Sequence, residues 1–413
     1  LTGREFVLGR DMRVLGRELS EAFADGARGH GAGVVDIGLT STDQLWFASG
    51  WLDLWGVQFT ASHNPPQDNG IKFCLPGARP VPEGFTAQLR RAAATVDPSC
   101  DLSGGLRRLD TLEAYAERLN ELVPATPERG LQVVVDAGNG MAGNTCLSVL
   151  AGRGLQVIGL FFELDGTFPN HPPNPLDPAN LRDAQAAVLR HEADLGLVFD
   201  GDADRCFVID ERGAAVDPSA ITAMIALEQL RREPGGTIVV NTITSHAVAD
   251  AVAGLGSVVT SRVGHTFVKA AMSQHEAVFG GEHSAHYYFR DFWYADTGML
   301  AALHVMELLR RTGQPLSQLV ARFDGYWRSG EINHAVADAT ACQRIVADAF
   351  HARAEITWGD GLLVSDTDGQ WWFSLRASNT EPLLRLNVEA VDQTRMAHLR
   401  DEVLRLIRGA ALD

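Results

Sequence analysis

Short apolar stretches alternate with longer segments of helical periodicity along most of the chain, and each apolar stretch has the length of a buried strand. Near the N-terminus the pattern predicts strands at 5–8, 34–38 and 55–60, with helices after the first strand, near 83–94 and over 111–122. Strands that alternate with helices are typical of parallel βαβ units. The first part of the chain is therefore predicted to be an α/β domain that ends near Asp110.

The same order of elements restarts twice and then changes. The second part has predicted strands at 131–136, 155–160, 195–199 and 206–210, and a predicted helix at 180–191. The third has predicted helices at 217–232, 245–253 and 296–311, and strands at 237–240 and 257–260. The last has predicted strands at 332–336, 361–365, 371–375 and 384–388, with a helix at 342–352 and another at the end.

These restarts predict an α/β protein made of three related α/β domains and a smaller C-terminal α+β domain. We place the four domains at 1–110, 111–216, 217–325 and 326–413. The length of 413 residues agrees with this division, because one hydrophobic core rarely serves so long a chain.

Composition and charge restrict the partners. Apolar residues make up 46% of the chain and no apolar run approaches the length of about 18 residues that a membrane span needs, so we expect no membrane partner. The formal charge is −17, which opposes binding to nucleic acid. A small phosphorylated ligand remains compatible with this charge if arginines and backbone amides are gathered locally.

The cysteines indicate the cellular compartment, and the first residue bears on whether the N-terminus is complete. An odd number of scattered cysteines without CxxC spacing is typical of reduced thiols in a cytoplasm. They are Cys74, Cys100, Cys146, Cys206 and Cys342. The chain opens at Leu1 rather than at a methionine, and we expect its N-terminus to be incomplete.

A serine next to a histidine follows the predicted strand at 55–60. The segment TASHNPPQDNGIK at 60–72 cannot form a helix, because Pro65 and Pro66 remove two backbone donors and hold the preceding residue extended. Ser62 should therefore project from a strand end, where α/β proteins place their reacting groups. By itself a Ser-His pair in a polar loop is weak evidence, because such residues fill most turns.

Three alternating carboxylates lie between the predicted strands at 195–199 and 206–210. Asp200, Asp202 and Asp204 should repel one another by several kcal/mol unless a cation compensates them. Hard oxygen ligands favour Mg²⁺ or Ca²⁺. An EF-hand is excluded, because Arg205 stands where that loop needs glycine and strands flank the loop. The remaining alternative is a solvated acidic turn, which so apolar a preceding strand disfavours.

Three further segments carry candidate chemistry. RASNTEP at 376–382 gathers an arginine, two hydroxyls and an amide that suit a phosphate, although an Asx-type turn explains the spacing equally well. Glu282, Ser284 and His286 alternate with period two, so on an extended segment they would share one face that suits sugar hydroxyls. The glycine-rich 138–143 segment lacks the GxGxxG spacing and is predicted to be a tight strand-to-helix turn.

In their order along the chain, these motifs resemble those of the α-D-phosphohexomutases. They are GRDMR at 9–13, TASHNPPQDNGIK at 60–72, DGDADR at 200–205, VGHTFVK at 263–269, GEHSAH at 281–286 and RASNTEP at 376–382. The chain looks most similar to bacterial phosphomannomutase/phosphoglucomutase enzymes over nearly its whole length. That resemblance implies four domains around a central cleft, three α/β and one smaller, in agreement with the restarts.

The resemblance also implies roles for individual residues. Ser62 resembles the serine that carries a phosphoryl group in the resting enzyme. Asp200, Asp202 and Asp204 would bind one Mg²⁺, with an oxygen of the phosphorylated Ser62 as a further ligand. The groups implied to handle protons and charge are His63, Lys72, Arg205 and His265. Those implied to bind the sugar are Glu282, Ser284 and His286, and those implied to bind its phosphate are Arg376, Ser378, Asn379 and Thr380.

The activity that the resemblance implies is a cytoplasmic isomerase reaction. A hexose 1-phosphate and its 6-phosphate, of mannose, glucose or both, would interconvert through a phosphoserine and a bisphosphorylated sugar. Glucose or mannose 1,6-bisphosphate would be the activating intermediate. A phosphoglucosamine-type mutase and a Mg²⁺-dependent sugar phosphatase are the alternatives, and we expect a monomer or a homodimer.

Overall fold

Residues 4–94, 103–126, 130–378 and 383–410 are described by the computed structural model on which the following account rests. Within these residues the strands form four sheets, in the order in which the sequence pattern restarts. In this part of the chain no helix combines the length and the apolar character that crossing a bilayer requires. The four cysteines that it includes, Cys74, Cys146, Cys206 and Cys342, are free and buried, as predicted. Cys100 lies outside the described residues.

The first sheet has the order β5-β4-β3-β1-β2-β6. Its elements are β1 (Glu5–Arg10), α1 (Gly16–Gly29), β2 (Gly33–Leu39), α2 (Thr42–Leu52), β3 (Trp55–Phe59), β4 (Ile71–Leu75), β5 (Arg79–Pro80), α3 (Phe85–Ala93) and β6 (Leu106–Arg108). The strand β1 pairs in parallel with both β2 and β3 and is buried on both faces. The serine loop, defined here as residues 60–70, leaves the carboxyl end of β3 and returns through the antiparallel strand β4.

The helix α2 was not predicted from the sequence. Its first eight residues are all buried, polar ones included, so the segment has no polar face from which helical periodicity could be recognised. Its N-cap is Ser41, whose hydroxyl accepts a hydrogen bond from the backbone N–H of Gln44. Short strands such as β4 and β6 were also missed, because two- to five-residue strands carry little pattern.

After α4 (Leu112–Leu122), the second sheet has the order β11-β10-β9-β7-β8. Its elements are β7 (Leu131–Asp136), α5 (Ala142–Leu150), β8 (Leu155–Leu160), α6 (Arg182–His191), β9 (Leu195–Phe199), β10 (Cys206–Asp210) and β11 (Ala215–Val216). The strands β9 and β10 are antiparallel and fully buried. The tight connection between them, residues 200–205, is the metal loop, so two buried strands fix both of its ends.

The third sheet has the order β13-β12-β14-β15-β16. The elements are α7 (Pro218–Arg232), β12 (Thr237–Asn241), α8 (His246–Val252), β13 (Ser257–Ser261), α9 (His265–Gln274), β14 (Phe279–Gly281), β15 (Tyr287–Phe289), β16 (Ala295–Asp296), α10 (Gly298–Thr312) and α11 (Leu316–Val320). The helix α9, which carries the VGHTFVK motif in its first turns, was not predicted. The connection between β14 and β15, residues 282–286, carries the predicted sugar-binding residues and is called the sugar loop.

The C-terminal part has an antiparallel sheet of its own, with the order β17-β22-β21-β20-β19 and β18 paired to β22. Its elements are β17 (Trp327–Arg328), β18 (Ile332–Ala335), α12 (Ala339–Phe350), β19 (Glu355–Gly359), β20 (Gly361–Ser365), β21 (Trp371–Ala377), β22 (Leu383–Ala390) and α13 (Gln393–Ala410). The helices α12 and α13 pack on one another, and Val346 and Val403 belong to one core that is separate from the others. The predicted fold class, three related α/β domains and a smaller α+β domain, is confirmed.

The first turn of α2 connects the first domain with the others. The Asp43 carboxylate is buried and accepts hydrogen bonds from the hydroxyls of Ser41, of Tyr115 on α4 (2.6 Å) and of Thr297, the N-cap of α10 (2.7 Å). No cation pairs with it among the described residues. Burial, aided by the negative charge of Asp204, raises the pKa of Asp43 to about 6 despite these three donors.

Asp43→Asn should therefore change how stability depends on pH. A carboxyl whose pKa is higher in the folded than in the unfolded chain stabilises the fold most below its unfolded value, near 3.9. That contribution, on the order of 2–3 kcal/mol, is lost as the pH rises from about 4 to 7. Relative to the parent, the Asn variant should gain melting temperature between pH 5 and pH 8, which differential scanning fluorimetry measures.

The control is the same substitution at the exposed Asp324, which should leave the pH dependence of the melting temperature unchanged. A difference between parent and Asp43→Asn that stays constant from pH 5 to pH 8 would show that Asp43 does not titrate in this range.

Candidate active site

Side chains from three domains meet at Ser62. Its hydroxyl donates a hydrogen bond to Asp200 Oδ2 in the metal loop (2.9 Å). Arg205 Nη2 lies 3.3 Å from the same hydroxyl oxygen, and His63 Nδ1 also lies 3.3 Å from it. His286 of the sugar loop forms an isolated β-bridge with Arg205 through the backbone. The structure thus brings together the serine, metal and sugar loops, which lie far apart in sequence and belong to three domains.

The serine loop is strained and tightly packed at Ser62. The residue has φ = 50°, a left-handed conformation that a non-glycine residue adopts only when its surroundings hold it there. Gly201 packs against it so closely that a Cβ there would lie 2.6 Å from the Ser62 carbonyl oxygen. The close approach of the two loops therefore requires glycine at position 201.

Arg13 holds the serine loop in place by hydrogen bonds. Its guanidinium donates hydrogen bonds to four backbone carbonyls of that loop, at distances of 2.7–2.9 Å. The acceptors belong to Ser62, Asn64, Pro65 and Asp68. Arg13 is buried, its Nε lies 3.4 Å from Asp11 Oδ2, and its guanidinium lies over the ring of Phe168 in the second domain. Hydrogen bonds from a charged donor are among the stronger ones, so this set fixes the loop's conformation.

The metal loop holds three buried carboxylates whose nearest oxygens all lie within 4.8 Å of one another. Two cations compensate part of their charge. Lys72 Nζ, from β4, lies 2.7 Å from Asp202 Oδ2 and 2.6 Å from Asp204 Oδ2. Arg205 pairs with Asp200 Oδ2 at 2.8 Å. Because isolated buried charges are very costly, this pairing is what makes the cluster tolerable in a closed loop.

Two carboxylate oxygens of the metal loop remain without a hydrogen-bond donor in the described chain. They are Oδ1 of Asp202 and Oδ1 of Asp204, and both are buried. His286 Nδ1 lies 3.8 Å from Asp204 Oδ1, too far for a hydrogen bond. Buried carboxylate oxygens without a donor, in a cluster of three carboxylates that each offer an oxygen within 4.8 Å of the others, fit a hard divalent cation such as Mg²⁺, which takes oxygen ligands. The acidic-turn alternative fails because these carboxylates are not solvated.

The environments of the three carboxylates push their pKa values apart. Burial raises the pKa of Asp200 to about 7, although Arg205 opposes it. Burial, with the charge of Asp202, also raises the pKa of Asp204. Burial works in the same direction at Asp202, but the Lys72 ammonium outweighs it and holds the pKa of Asp202 well below its usual range. Of the three carboxylates, Asp202 is therefore the one that stays ionised to the lowest pH.

The histidines around the site differ in charge. Burial and the positive charge of Arg205 lower the pKa of His63 to about 3, so its ring is neutral at physiological pH. Burial and Lys269 lower the pKa of His265, the first residue of α9, to about 3 in the same way. At His286 burial is outweighed by the carboxylates of Asp204 and Asp296, which raise its pKa.

The sugar loop is a hairpin turn, not the extended segment that the alternation of residues suggested. The Glu282 carbonyl accepts a hydrogen bond from the Ala285 backbone N–H (3.1 Å), and Ala285 has φ = 63°. The three predicted residues therefore do not share one face by strand geometry, and that part of the sequence argument was wrong. A tight turn reverses the chain within four residues, which a period-two pattern cannot reveal.

Both carboxylate oxygens of Glu282 are engaged inside the protein. Oε1 accepts from the hydroxyl of Tyr288 (2.5 Å) and Oε2 from the side-chain amide of Asn241 (2.9 Å). Ser284 is half-buried at the tip of the turn. His286 Nδ1 lies 2.9 Å from Asp296 Oδ2 and 3.8 Å from Asp204 Oδ1 of the metal loop.

The predicted phosphate-binding segment begins at the end of β21. Arg376 Nε pairs at 2.9 Å with Asp360, a carboxylate of its own domain, rather than with the serine or metal loop. Asp360 Oδ2 also accepts from the backbone N–H of Val263 (2.8 Å), the first residue of the VGHTFVK motif. The Ser378 backbone N–H donates to the Leu383 carbonyl (2.9 Å). Asn379 and Thr380 lie outside the described residues.

Several residues that shape the site were not predicted from the sequence. Arg13 stands in the GRDMR motif, which was quoted without a role for this arginine. Lys269 Nζ lies 2.8 Å from Asp296 Oδ1 and 4.0 Å from the ring of Trp46, and so links the third domain to α2. The VGHTFVK motif contained Lys269, but only the fold brings it to Asp296. The signal available in the sequence was a charged residue within a motif, which both Arg13 and Lys269 are.

Comparison with known proteins finds four family models along the chain. Four family models match in order: phosphoglucomutase/phosphomannomutase, alpha/beta/alpha domain I at residues 1–99, domain II at 113–213, domain III at 217–326, and the C-terminal domain at 331–406. A phosphomannomutase from Salmonella montevideo is 38% identical over 99% of this chain and 92% of its own length.

Two solved structures are also similar. A phosphoglucomutase/phosphomannomutase family protein from Burkholderia thailandensis has a TM-score of 0.89 and 31% identity, over 99% of this chain and 90% of its own. An N-acetylphosphoglucosamine mutase from Aspergillus fumigatus, solved in complex with GlcNAc-6P and magnesium, has a TM-score of 0.66 at 14% identity. It covers 90% of this chain and 93% of its own, and at that identity it shows a common fold.

Arg13→Lys should loosen the serine loop. A lysine ammonium cannot reach four carbonyls in the planar fork of a guanidinium, so charged hydrogen bonds of about 1.5–3 kcal/mol each are lost. Amide hydrogen exchange measured by mass spectrometry should accelerate about tenfold or more for residues 60–70. This segment includes the protected amides of Thr60 and Asn64.

Arg17→Lys is the matched control, because Arg17 makes only an exposed ion pair with Glu21 on α1. That variant should exchange like the parent. Unchanged exchange of residues 60–70 in Arg13→Lys would show that the loop holds its conformation without the arginine.

Proposed function

This chain is an enzyme that belongs to the phosphoglucomutase/phosphomannomutase family, and from that premise we propose that it interconverts a hexose 1-phosphate and the hexose 6-phosphate through a phosphorylated Ser62. The sugar is mannose, glucose or both, as the names of its relatives suggest. A bisphosphorylated sugar is the intermediate that carries both phosphoryl groups between the two half-reactions.

The placement of the Ser62 hydroxyl is the observation that carries this proposal. It lies within 2.9 Å of a carboxylate of the metal loop and 3.3 Å of both an arginine and a neutral histidine. A phosphoryl group on this oxygen would have cations beside it and a divalent-ion site next to it. Phosphoryl transfer is catalysed largely by such positioning and charge stabilisation.

The proposed reaction balances in two transfers. In the first, the bond between Ser62 Oγ and phosphorus breaks, a bond from phosphorus to the free sugar hydroxyl forms, the hydroxyl proton passes to a base, and Ser62 Oγ takes up a proton. In the second, the bond from the other phosphorus of the bisphosphate to its sugar oxygen breaks, a bond from that phosphorus to Ser62 Oγ forms, Ser62 Oγ gives up its proton to a base, and the sugar oxygen takes up a proton. No phosphate is released to water, which distinguishes a mutase from a phosphatase.

The proposed roles of the catalytic and metal-binding residues follow from their positions in the site. His63, Lys72 and Arg205 surround the serine oxygen and the carboxylates, and they offset charge and relay protons there. We propose the same role for His265, the first residue of α9, whose pKa is lowered by burial and by the charges of Lys269 and Lys72. Asp200, Asp202 and Asp204, with a phosphoryl oxygen on Ser62, would hold one Mg²⁺, which would neutralise charge on the transferred group.

Substrate recognition is assigned to the two remaining loops. We propose that Ser284 and His286, with Glu282, bind sugar hydroxyls, and that Arg376, Ser378, Asn379 and Thr380 bind the phosphate that is not transferred. Arg376 would exchange Asp360 for the substrate phosphate, a stronger bidentate partner for a guanidinium. The engaged carboxylate of Glu282 would act through Tyr288 and Asn241 or would release one of them.

Cellular context follows from composition and is part of the proposal. The protein acts in the cytoplasm as a monomer or homodimer, with hexose phosphates and the activating glucose or mannose 1,6-bisphosphate as its ligands. The net charge of −17 and the buried free thiols support this placement.

Ser62→Ala should reduce kcat for mannose 1-phosphate by about a thousandfold or more, because the residue carries the transferred group and nothing nearby can replace it. The melting temperature should change little, since Ser62 is only half-buried. A coupled assay of hexose 6-phosphate formation measures the rate.

Ser148→Ala, on the exposed face of α5, is the matched control and should retain parental kcat. Parental turnover in Ser62→Ala would contradict the phosphoserine route. Release of inorganic phosphate from the parent in place of isomer would identify a phosphatase instead.

Chelation should abolish the reaction and Mg²⁺ should restore it. EDTA removes the ion that compensates the orphaned oxygens of Asp202 and Asp204. Asp202→Asn should then require at least about tenfold more Mg²⁺ for half-maximal activity, since one ligand loses its charge. An enzyme with full turnover in EDTA would contradict the metal assignment and support purely electrostatic roles for Lys72 and Arg205.

A further inference from the structure

Thr42, the first residue of α2, contacts the metal loop twice. Its backbone N–H donates to the Asp202 carbonyl (2.9 Å), and its hydroxyl donates to Asp202 Oδ2 (2.5 Å). Both residues are completely buried. The backbone contact gives a partner to an N–H that a helix start leaves without one, and the positive end of α2 points at the carboxylate.

The two carboxylate oxygens of Asp202 therefore differ in their hydrogen bonding. Oδ2 accepts from Thr42 and from Lys72, whereas Oδ1 is buried and has no donor in the described chain. A buried charged oxygen without a partner costs at least about 1–3 kcal/mol, so the arrangement is favourable only if another group satisfies Oδ1. In a cluster of carboxylates, that group is a cation.

Lys72 cannot hold Oδ2 alone once a divalent cation is present. Its ammonium carries a like charge, would be repelled by the ion, and sits on a flexible stem that is partly exposed. The Thr42 hydroxyl is neutral, and its β-branched side chain has few alternative rotamers. It can thus keep its hydrogen bond to Oδ2 with or without the ion.

We propose that Thr42 is a positioning residue of the metal loop, whose hydroxyl holds Asp202 Oδ2 so that Oδ1 faces the Mg²⁺. This inference rests on the metal assignment within the proposed function and extends it to a residue of another domain. It also gives the first domain, which carries Ser62, a direct effect on metal affinity. Groups that orient a metal ligand typically contribute 10- to 100-fold to affinity.

Thr42→Val tests the hydroxyl at constant shape. Isothermal titration calorimetry with Mg²⁺ and the full-length, dephosphorylated protein should give a dissociation constant about 10- to 100-fold higher than that of the parent. Thr42→Ser keeps the hydroxyl and should bind within about threefold of the parent. The apparent KM for mannose 1-phosphate at saturating Mg²⁺ should stay near parental, since Thr42 is proposed to act on the ion.

Thr40→Val is the matched control. Thr40 is equally buried two residues earlier, but its hydroxyl donates to Gln58 within the same domain (3.2 Å). It should leave Mg²⁺ affinity unchanged. Thr42→Val replaces the hydroxyl with a methyl group, whereas Thr42→Ser keeps the hydroxyl and removes the methyl group. Parental affinity in Thr42→Ser would therefore separate positioning by the hydroxyl from misfolding.

Three results would overturn the inference. They are parental Mg²⁺ affinity in Thr42→Val, an equal loss in Thr40→Val, and a loss in Thr42→Ser as large as in Thr42→Val. A parent protein that binds no Mg²⁺ at all would instead refute the metal assignment itself, together with this extension. The parent titration therefore distinguishes failure of the inference from failure of the proposed function.

Discussion

The charge of one short loop constrains the arrangement of three domains. Asp200, Asp202 and Asp204 are buried with their nearest oxygens within 4.8 Å of one another, a placement that several kcal/mol of repulsion and desolvation oppose. Arg205 of the loop itself pairs with Asp200, and the other compensating groups come from elsewhere: Lys72 and Thr42 from the first domain, and His286 from the third. Because these partners lie in other domains, the site depends on the contacts between the domains.

The attachment of the C-terminal domain does not involve the three carboxylates. The domain has its own core, and its contacts with the third domain are made by other groups. Glu389 Oε1 accepts from the His246 backbone N–H (2.9 Å) and from the Trp372 indole (2.7 Å), while the rings of His246 and Trp372 stack. With Asp360 bridging Val263 and Arg376, the domain is attached by a few polar contacts rather than by the charge cluster.

The sequence allowed prediction of the fold class and of the residues that meet at Ser62, because strand runs and ordered motifs are local signals. It did not allow prediction of α2, whose first eight residues are all buried and which therefore has no periodic polar face. It misled at 282–286, where a reversal of the chain replaced an extended segment. Arg13 and Thr42 were missed because their partners, loop carbonyls and a distant carboxylate, are specified only by the tertiary fold.

If the serine loop and the metal loop together form a phosphoryl-transfer site, Ser62 should accept a phosphoryl group from a bisphosphorylated sugar. The intact mass of the dephosphorylated protein, measured after incubation with glucose 1,6-bisphosphate and Mg²⁺ and followed by peptide mapping, tests this directly. The protein should gain a single phosphoryl group, located on Ser62, and should lose it on addition of excess hexose phosphate. An unchanged mass, or a phosphoryl group on another residue, would contradict it.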